Sequence, residues 1–458
     1  MKKLKKLLVA VPLALASAAA LTGCGDPHEH SLKLTGAIAP DCDSAGNSAY
    51  YTCETCGKYY SDDQGATEIE QNSWVLNPLG HLYMNAEDHD CNRGCGTIRE
   101  TSAYNVWDGT ASNSLPEAVN GVINITTAEQ LAKVAAMVNA GETFEGVTLK
   151  LYSNIDLDGR AWTPIGNSNR KTSTEIKKFK GTFDGNGYKV MNLTNAGFTP
   201  TDTREETSEF NIYTYGLFGY TENAVITNLT VEVNITAAEN LKGDAVAGLI
   251  GFAKGSLTLD NCTVNGSVAG FDSVAGLVGR IQCNTNADVV SITDCENNAA
   301  ITGMVKTAGI VGFLQDNYNV TIDSCTNNGV IKATGAVAGD LFASNCAGIV
   351  NYTWNTNLVN PYTLIITNNI NTANLYNKDA ANSVAGKTDM NSFSTIANQS
   401  GQWFAPEYNA VYDFTGNTNT GKVYVAGVET DSFIVSAYGQ DQVYDVASEF
   451  NNTTSTNA

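Results

Sequence analysis

Apolar residues recur in fixed columns through the middle of the chain. Aligning Leu229, Cys262, Cys295, Cys325 and Asn369 places Ile226, Leu259, Ile292, Ile322 and Ile366 three residues before them. Ile235, Val268, Ile301, Ile331 and Leu375 then stand six residues after them. A five-residue phrase runs in step with these columns: AGLIG at Ala247, AGLVG at Ala275 and AGIVG at Ala308. It degrades to AGDLF at Ala338 and AGK at Ala385, and GLFG at Gly216 is an early relative. Fixed columns with a period near 30 residues mean stacked, equivalent units.

Spacing within a unit separates strand from helix. Same-face residues of one strand lie an even number apart. The step of three from Ile292 to Cys295 breaks that parity, so the chain must turn between them. The pairs Thr293-Asp294 and Asp260-Asn261 are suitable corner residues. Each repeat therefore reads as short strands joined by corners, followed by a Gly turn and the AGLVG phrase. Short strands stacked rung on rung predict a parallel β-helix. In that arrangement Ala and Gly allow one wall to approach the core closely, while Leu, Ile and Val fill it.

One helix is legible. Thr127 is an N-cap candidate with Gln130 three residues on; Leu131, Val134 and Val138 form one apolar stripe, and Gly141 ends it. It predicts a helix capping the start of the repeats. The chain is expected to divide into a signal segment (1–23), a Cys/His-rich module (24–105), the repeat region (106–400) and a β-rich C-terminal cap (401–458) whose polar tail is disordered.

Composition adds exclusions. Of 458 residues 16% are charged and the net charge is −21, against the clustered Lys and Arg that nucleic acid requires. The N-terminus carries Lys2, Lys3, Lys5 and Lys6 before the apolar run Leu7 to Leu21, too short for the roughly 20 residues of a spanning helix. It closes on Leu21-Thr22-Gly23-Cys24, which resembles a bacterial lipobox. That resemblance implies lipidation of Cys24 and attachment to a membrane.

All four His and six of the eleven Cys lie before residue 104. Cys53 and Cys56 have the spacing at which one tight turn offers two thiolates to a tetrahedral zinc, and Cys42 and His30 complete four ligands. His81, His89, Cys91 and Cys95 form a second candidate set. Disulfides are the alternative outside the cell, and free thiols a third. Clustering of every His with these Cys favours metal, because a disulfide needs no His.

Two stretches carry family resemblances. "INITTAEQLAKVAAMVNAGETFEGVTLKLYSNIDLDGRAWTPIG", "FKGTFDGNGYKVMNLT" and the AGLVG…ITDCENNAAITG repeats resemble bacterial surface proteins with GLUG-motif repeats, over Ile123 to about Gly339. The resemblance implies a right-handed parallel β-helix, an adhesin-like scaffold, and no catalytic residue. "HSLKLTGAIAPDCDSAGNSAYYTCETCGKYYSD" and "GHLYMNAEDHDCNRGCGTIRE" resemble small zinc-ribbon-like repeats of exported bacterial proteins. The second unit departs from them in having Cys91-x3-Cys95.

Catalytic patterns are missing where they would be needed. Asp156, Asp158 and Asp184 sit beside Gly in turn contexts, where Asp bonds its own backbone. No HExxH or GxSxG occurs, and no His follows His89. The expectation is a non-enzymatic, lipid-anchored surface protein that binds a glycan or host protein. A purely structural cell-surface role and an extracellular carbohydrate-active enzyme are the alternatives.

Overall fold

In the computed structural model the described residues are 30–82, 91–97, 105–167, 176–195, 213–237, 245–316, 319–334, 346–354, 363–377, 394–399, 411–425, 427–430, 433–438 and 443–445. Cys24 with the signal segment, His89, Ala338, Ala385 and the polar tail lie outside them. The chain divides into two compact units: 1–38 with 47–74, and 39–46 with 75–458. The line between them runs through the Cys/His-rich stretch.

The smaller unit is an antiparallel meander. Leu32–Thr35 pairs with Tyr50–Cys53, which pairs with Tyr59–Tyr60, which pairs with Glu68–Ile69. Aromatic rings pack together within it: Tyr50 stacks on Trp74 at 3.9 Å between ring centroids, and Tyr59 leans on Trp74 at 4.4 Å.

The larger unit is mainly β, with long parallel sheets. Among the described residues the chain passes from a first sheet (Phe218–Thr227) to a second (Thr230–Thr236) and a third (Ala245–Ala247), then returns to the first at Ile250–Asp260. Each return pairs in register with the preceding pass. In the first sheet Ile226, Leu259, Ile292, Ile322 and Ile366 are successive partners. In the second, Ile235, Val268, Ile301, Ile331 and Leu375 are. Both columns are buried. This coil-by-coil pairing is compatible with a β-helix.

The corners fall where parity required them. Asn228, Asn261, Asp294, Ser324 and Asn368 all take a left-handed conformation, with φ between 51° and 57°. Asn and Asp tolerate that conformation better than other non-Gly residues, which explains their place between the two columns. The column after the corner, Leu229, Cys262, Cys295, Cys325 and Asn369, is buried. Its cysteines are free thiols packed as small apolar groups. The hydrogen bond to Cys295 and burial push the Cys262 thiol well above its ordinary value.

The phrase forms the third sheet, where Ala247, Ala275, Ala308 and Ala347 are partners. The fourth member is thus Ala347, in Cys346-Ala347-Gly348-Ile349-Val350, and not Ala338 as equal spacing predicts. The strand register, rather than the residue count, fixes the column, and an insertion separates the two. The glycines of the phrase are required by close approach. A Cβ at Gly309 would meet the Gly348 carbonyl and the Asn327 amide oxygen, and one at Gly276 would meet Gly309 and Asn297.

Those asparagines form an unanticipated feature. Asn297, Asn327, Asn371 and Asn419 are register partners, and each amide donates to the next at 2.7 Å. The first three are fully buried. Each also donates to the carbonyl two residues on, at Ala299, Gly329 and Ala373, holding the turn shut. Val231 and Val264 fill the same column earlier.

The single helix among the described residues is Ala128–Ala140. The Thr127 hydroxyl accepts the Gln130 N–H, Gly141 is left-handed at φ 119°, and Leu131, Val134 and Val138 are buried. The Gln130 side chain reaches back to the Thr126 N–H at 2.8 Å, one residue beyond a standard capping box.

Candidate metal centre

Two knuckle-like turns present the cysteines. In the smaller unit the Leu32–Cys53 pairing brings His30, two residues upstream, beside Cys53. The turn closes through Cys53 N–H to the Lys58 carbonyl at 2.9 Å and Gly57 N–H to the Cys53 carbonyl at 2.8 Å. His30 Nδ1 lies 3.4 Å from Cys53 Sγ and 3.9 Å from Cys56 Sγ. The other ring nitrogen, Nε2, lies 3.3 Å from the Tyr60 hydroxyl. Gly65 leaves room for the ring, since a Cβ there would sit 2.9 Å from His30 Cδ2.

In the larger unit Leu79 N–H bonds the Asp41 carbonyl at 2.7 Å and Gly80 N–H the Cys42 carbonyl at 3.1 Å, which sets His81 beside Cys42. A second turn closes through Cys91 N–H to the Thr97 carbonyl, one residue longer than its counterpart. Gly94 and Gly96, at φ 76° and 77°, absorb the extra residue. The x3 spacing therefore still brings both sulfurs together. Cys42 Sγ is 3.6 Å from Cys91 Sγ, and His81 Nδ1 is 3.3 Å from Cys95 Sγ.

The ligand atoms within each group lie within 4.8 Å of one another: Cys42, His81, Cys91 and Cys95 in one, His30, Cys53 and Cys56 in the other. This regroups the expected sets. Cys42 leaves the intact CxxC and joins the second cluster, because backbone bonds from residues 79 and 80 hold it there. The set with the irregular spacing is the one with four described ligands.

The donor chemistry fits zinc. Two thiolates each about 2.3 Å from a tetrahedral ion stand about 3.8 Å apart, and a thiolate–imidazole edge is shorter. The observed 3.6 and 3.3 Å edges match. His81 Nε2 lies 3.1 Å from an Asp43 carboxylate oxygen, the outer partner that orients a metal-bound imidazole. Burial pushes the Cys42 thiol up to about 12, while hydrogen bonds from Thr97 bring Cys95 down to about 6. A buried thiol beside a thiolate is an arrangement that a divalent cation stabilises.

The candidate acids are turn residues, as expected. Asp156 accepts the Asp158 N–H at 2.8 Å, and Asp184 accepts the Asn186 N–H at 2.8 Å while pairing with Lys150 at 2.8 Å. Among the described residues no helix is long and apolar enough to cross a membrane.

No family model matches the chain. It is 26% identical over 259 residues to Halomucin of Haloquadratum walsbyi, a match covering 49% of this chain and 2% of that protein. A solved structure from Bacteroides ovatus, titled as that of a "putative immunoglobulin A1 protease", superposes with a TM-score of 0.45 at 13% identity, over 74% of this chain and 85% of that one. That likeness bears on neither the fold nor the activity here. What the chain resembles is thus a short part of a very long mucin-named protein.

Proposed function

We propose that this is an exported cell-surface protein, lipid-anchored through Cys24, whose repeats form a parallel β-helix that binds a glycan or host protein. Zinc held by the Cys/His clusters keeps the membrane-proximal segment folded. The observation that carries the binding role is the polar wall of the second sheet. Half-buried Asn265 and exposed Asn298 and Asn328 stand in one row, linked amide to amide at 3.1 and 2.9 Å. A repeating row of amides suits an extended, repeating, hydroxyl-rich partner. Likeness to a protein named as a mucin supports a surface role, and the signal-like N-terminus supports export.

The internal pairing of those amides favours one other reading, in which the row is purely structural and takes no ligand. A glycan and extracellular-matrix array probed with the chain carrying Cys24→Ser separates the two. Saturable binding to one glycan class, weakened by Asn298→Ala with Asn328→Ala, supports recognition. An array with no binding leaves the structural role.

A further inference from the structure

A cavity of about 470 Å³ opens between the second metal turn and the helix-capped start of the repeats. Its walls are mostly apolar, with Pro40, Pro78, Pro116 and Leu115 among them, and its volume is that of a small-molecule site. Among its polar lining residues are Arg93 and Gln130. Arg93 lines it, its buried Nε has no hydrogen-bond partner, and no carboxylate among the described residues pairs with it. Gln130 lines it too, and its side-chain oxygen is already taken by the Thr126 N–H and hydroxyl, which leaves the amide NH2 as the group it has to offer. A guanidinium with an unused donor costs free energy unless an acceptor meets it. Arg93 and Gln130 offer donors; Asn77, Ser114 and Asn124 also line the cavity, and its one acidic residue, Glu117, is exposed to solvent.

We propose that this cavity binds a small amphipathic carboxylate, its anion on Arg93 and Gln130 and its apolar body against the prolines and Leu115. Arg93 is flanked by Cys91 and Cys95, and Ala39 and Leu79 of the wall lie beside Cys42 and His81. The metal cluster fixes the three segments that form one side of the cavity. Ligand binding is therefore coupled to the metal, a step that rests on the zinc reading above.

The test uses the full chain carrying Cys24→Ser, reduced and zinc-loaded, titrated calorimetrically with N-acetyl-leucine and with its neutral isostere N-acetyl-leucinamide. The acid binds saturably and the amide at least about tenfold more weakly, the scale for losing a charge-assisted pair. Arg93→Gln abolishes the difference between the probes, and Leu115→Trp, which fills the cavity, abolishes binding of both. Equal affinity for acid and amide, or no saturable binding of either, overturns the proposal. A chelator weakens binding of the acid about tenfold or more. Acid binding unchanged by complete metal removal overturns the coupling alone, and zinc content measured on the same sample shows separately whether the metal reading holds.

Discussion

Replacing Asn327 by Ala tests whether the buried amide ladder stabilises the repeats. Asn327 accepts from Asn297 at 2.7 Å, donates to Asn371 at 2.7 Å and donates to the Gly329 carbonyl at 3.0 Å. Ala at this position leaves the fully buried Asn371 oxygen without that donor and opens the 327–329 turn. An unmet buried polar group costs about 1–3 kcal/mol, and the space vacated by the amide adds to it. The expected loss is about 3–4 kcal/mol. Asn328 is the control: it also bonds Glu296 and Asn298, at 2.6 and 2.9 Å, but it is exposed, so Asn328→Ala costs under about 1 kcal/mol. Hydrogen exchange is the assay, because it reads single amides on either side of the ladder. Thr326 N–H bonds the Cys295 carbonyl and Asn328 N–H the Asn297 carbonyl, both across coils. Asn327→Ala accelerates exchange at these amides by about a hundredfold or more, while Asn328→Ala leaves Thr326 within a few-fold. Equal acceleration by the two variants refutes the ladder.

Three further outcomes follow from the same structure. Ile301, fully buried in the second sheet, becomes Asp at a cost of several kcal/mol, whereas exposed Asn284→Asp leaves the melting temperature nearly unchanged; equal melting temperatures contradict the column. Burial raises the Asp184 pKa, but the Lys150 ammonium, the Asn186 N–H and the Asn228 amide outweigh it and hold the carboxylate below its ordinary value. Its contribution is therefore present above the unfolded value near about 4 and lost as pH falls through the lower folded one, so Asp184→Asn lowers the melting temperature at pH 7 and progressively less in acid; a pH-independent deficit contradicts this. Cys24→Ser moves the protein from membrane to soluble fractions and abolishes incorporation of labelled fatty acid, and a membrane-bound, labelled variant removes the anchor.

The apolar columns were legible because register is a periodic property, and period survives in a single sequence. The corners were legible because a broken parity demands a turn and Asn and Asp tolerate its backbone. The Asn ladder was missed although its signal was there: Asn297, Asn327 and Asn371 each stand two residues after the aligned column. Asn next to a turn reads as solvent-facing, and only stacking shows that each amide meets the next. The fourth phrase was misplaced for the complementary reason, since an insertion changes the count without changing the register. The cysteines could be recognised as candidate metal ligands by type, but their grouping could not. Cys42 and Cys91 are 49 residues apart in sequence, and the backbone bonds that join their neighbourhoods leave no local pattern.

Cys42, His81, Cys91 and Cys95 hold the most direct test of the account, through native mass spectrometry of the reduced, purified chain carrying Cys24→Ser. The four donors predict zinc bound to this cluster, lost on Cys91→Ser and on chelation, with unfolding of the 39–46, 75–82 and 91–97 segments because binding free energy there is folding free energy. A metal-free mass lowered by two hydrogens, with Cys42 linked to Cys91, would contradict it and make the cluster a disulfide.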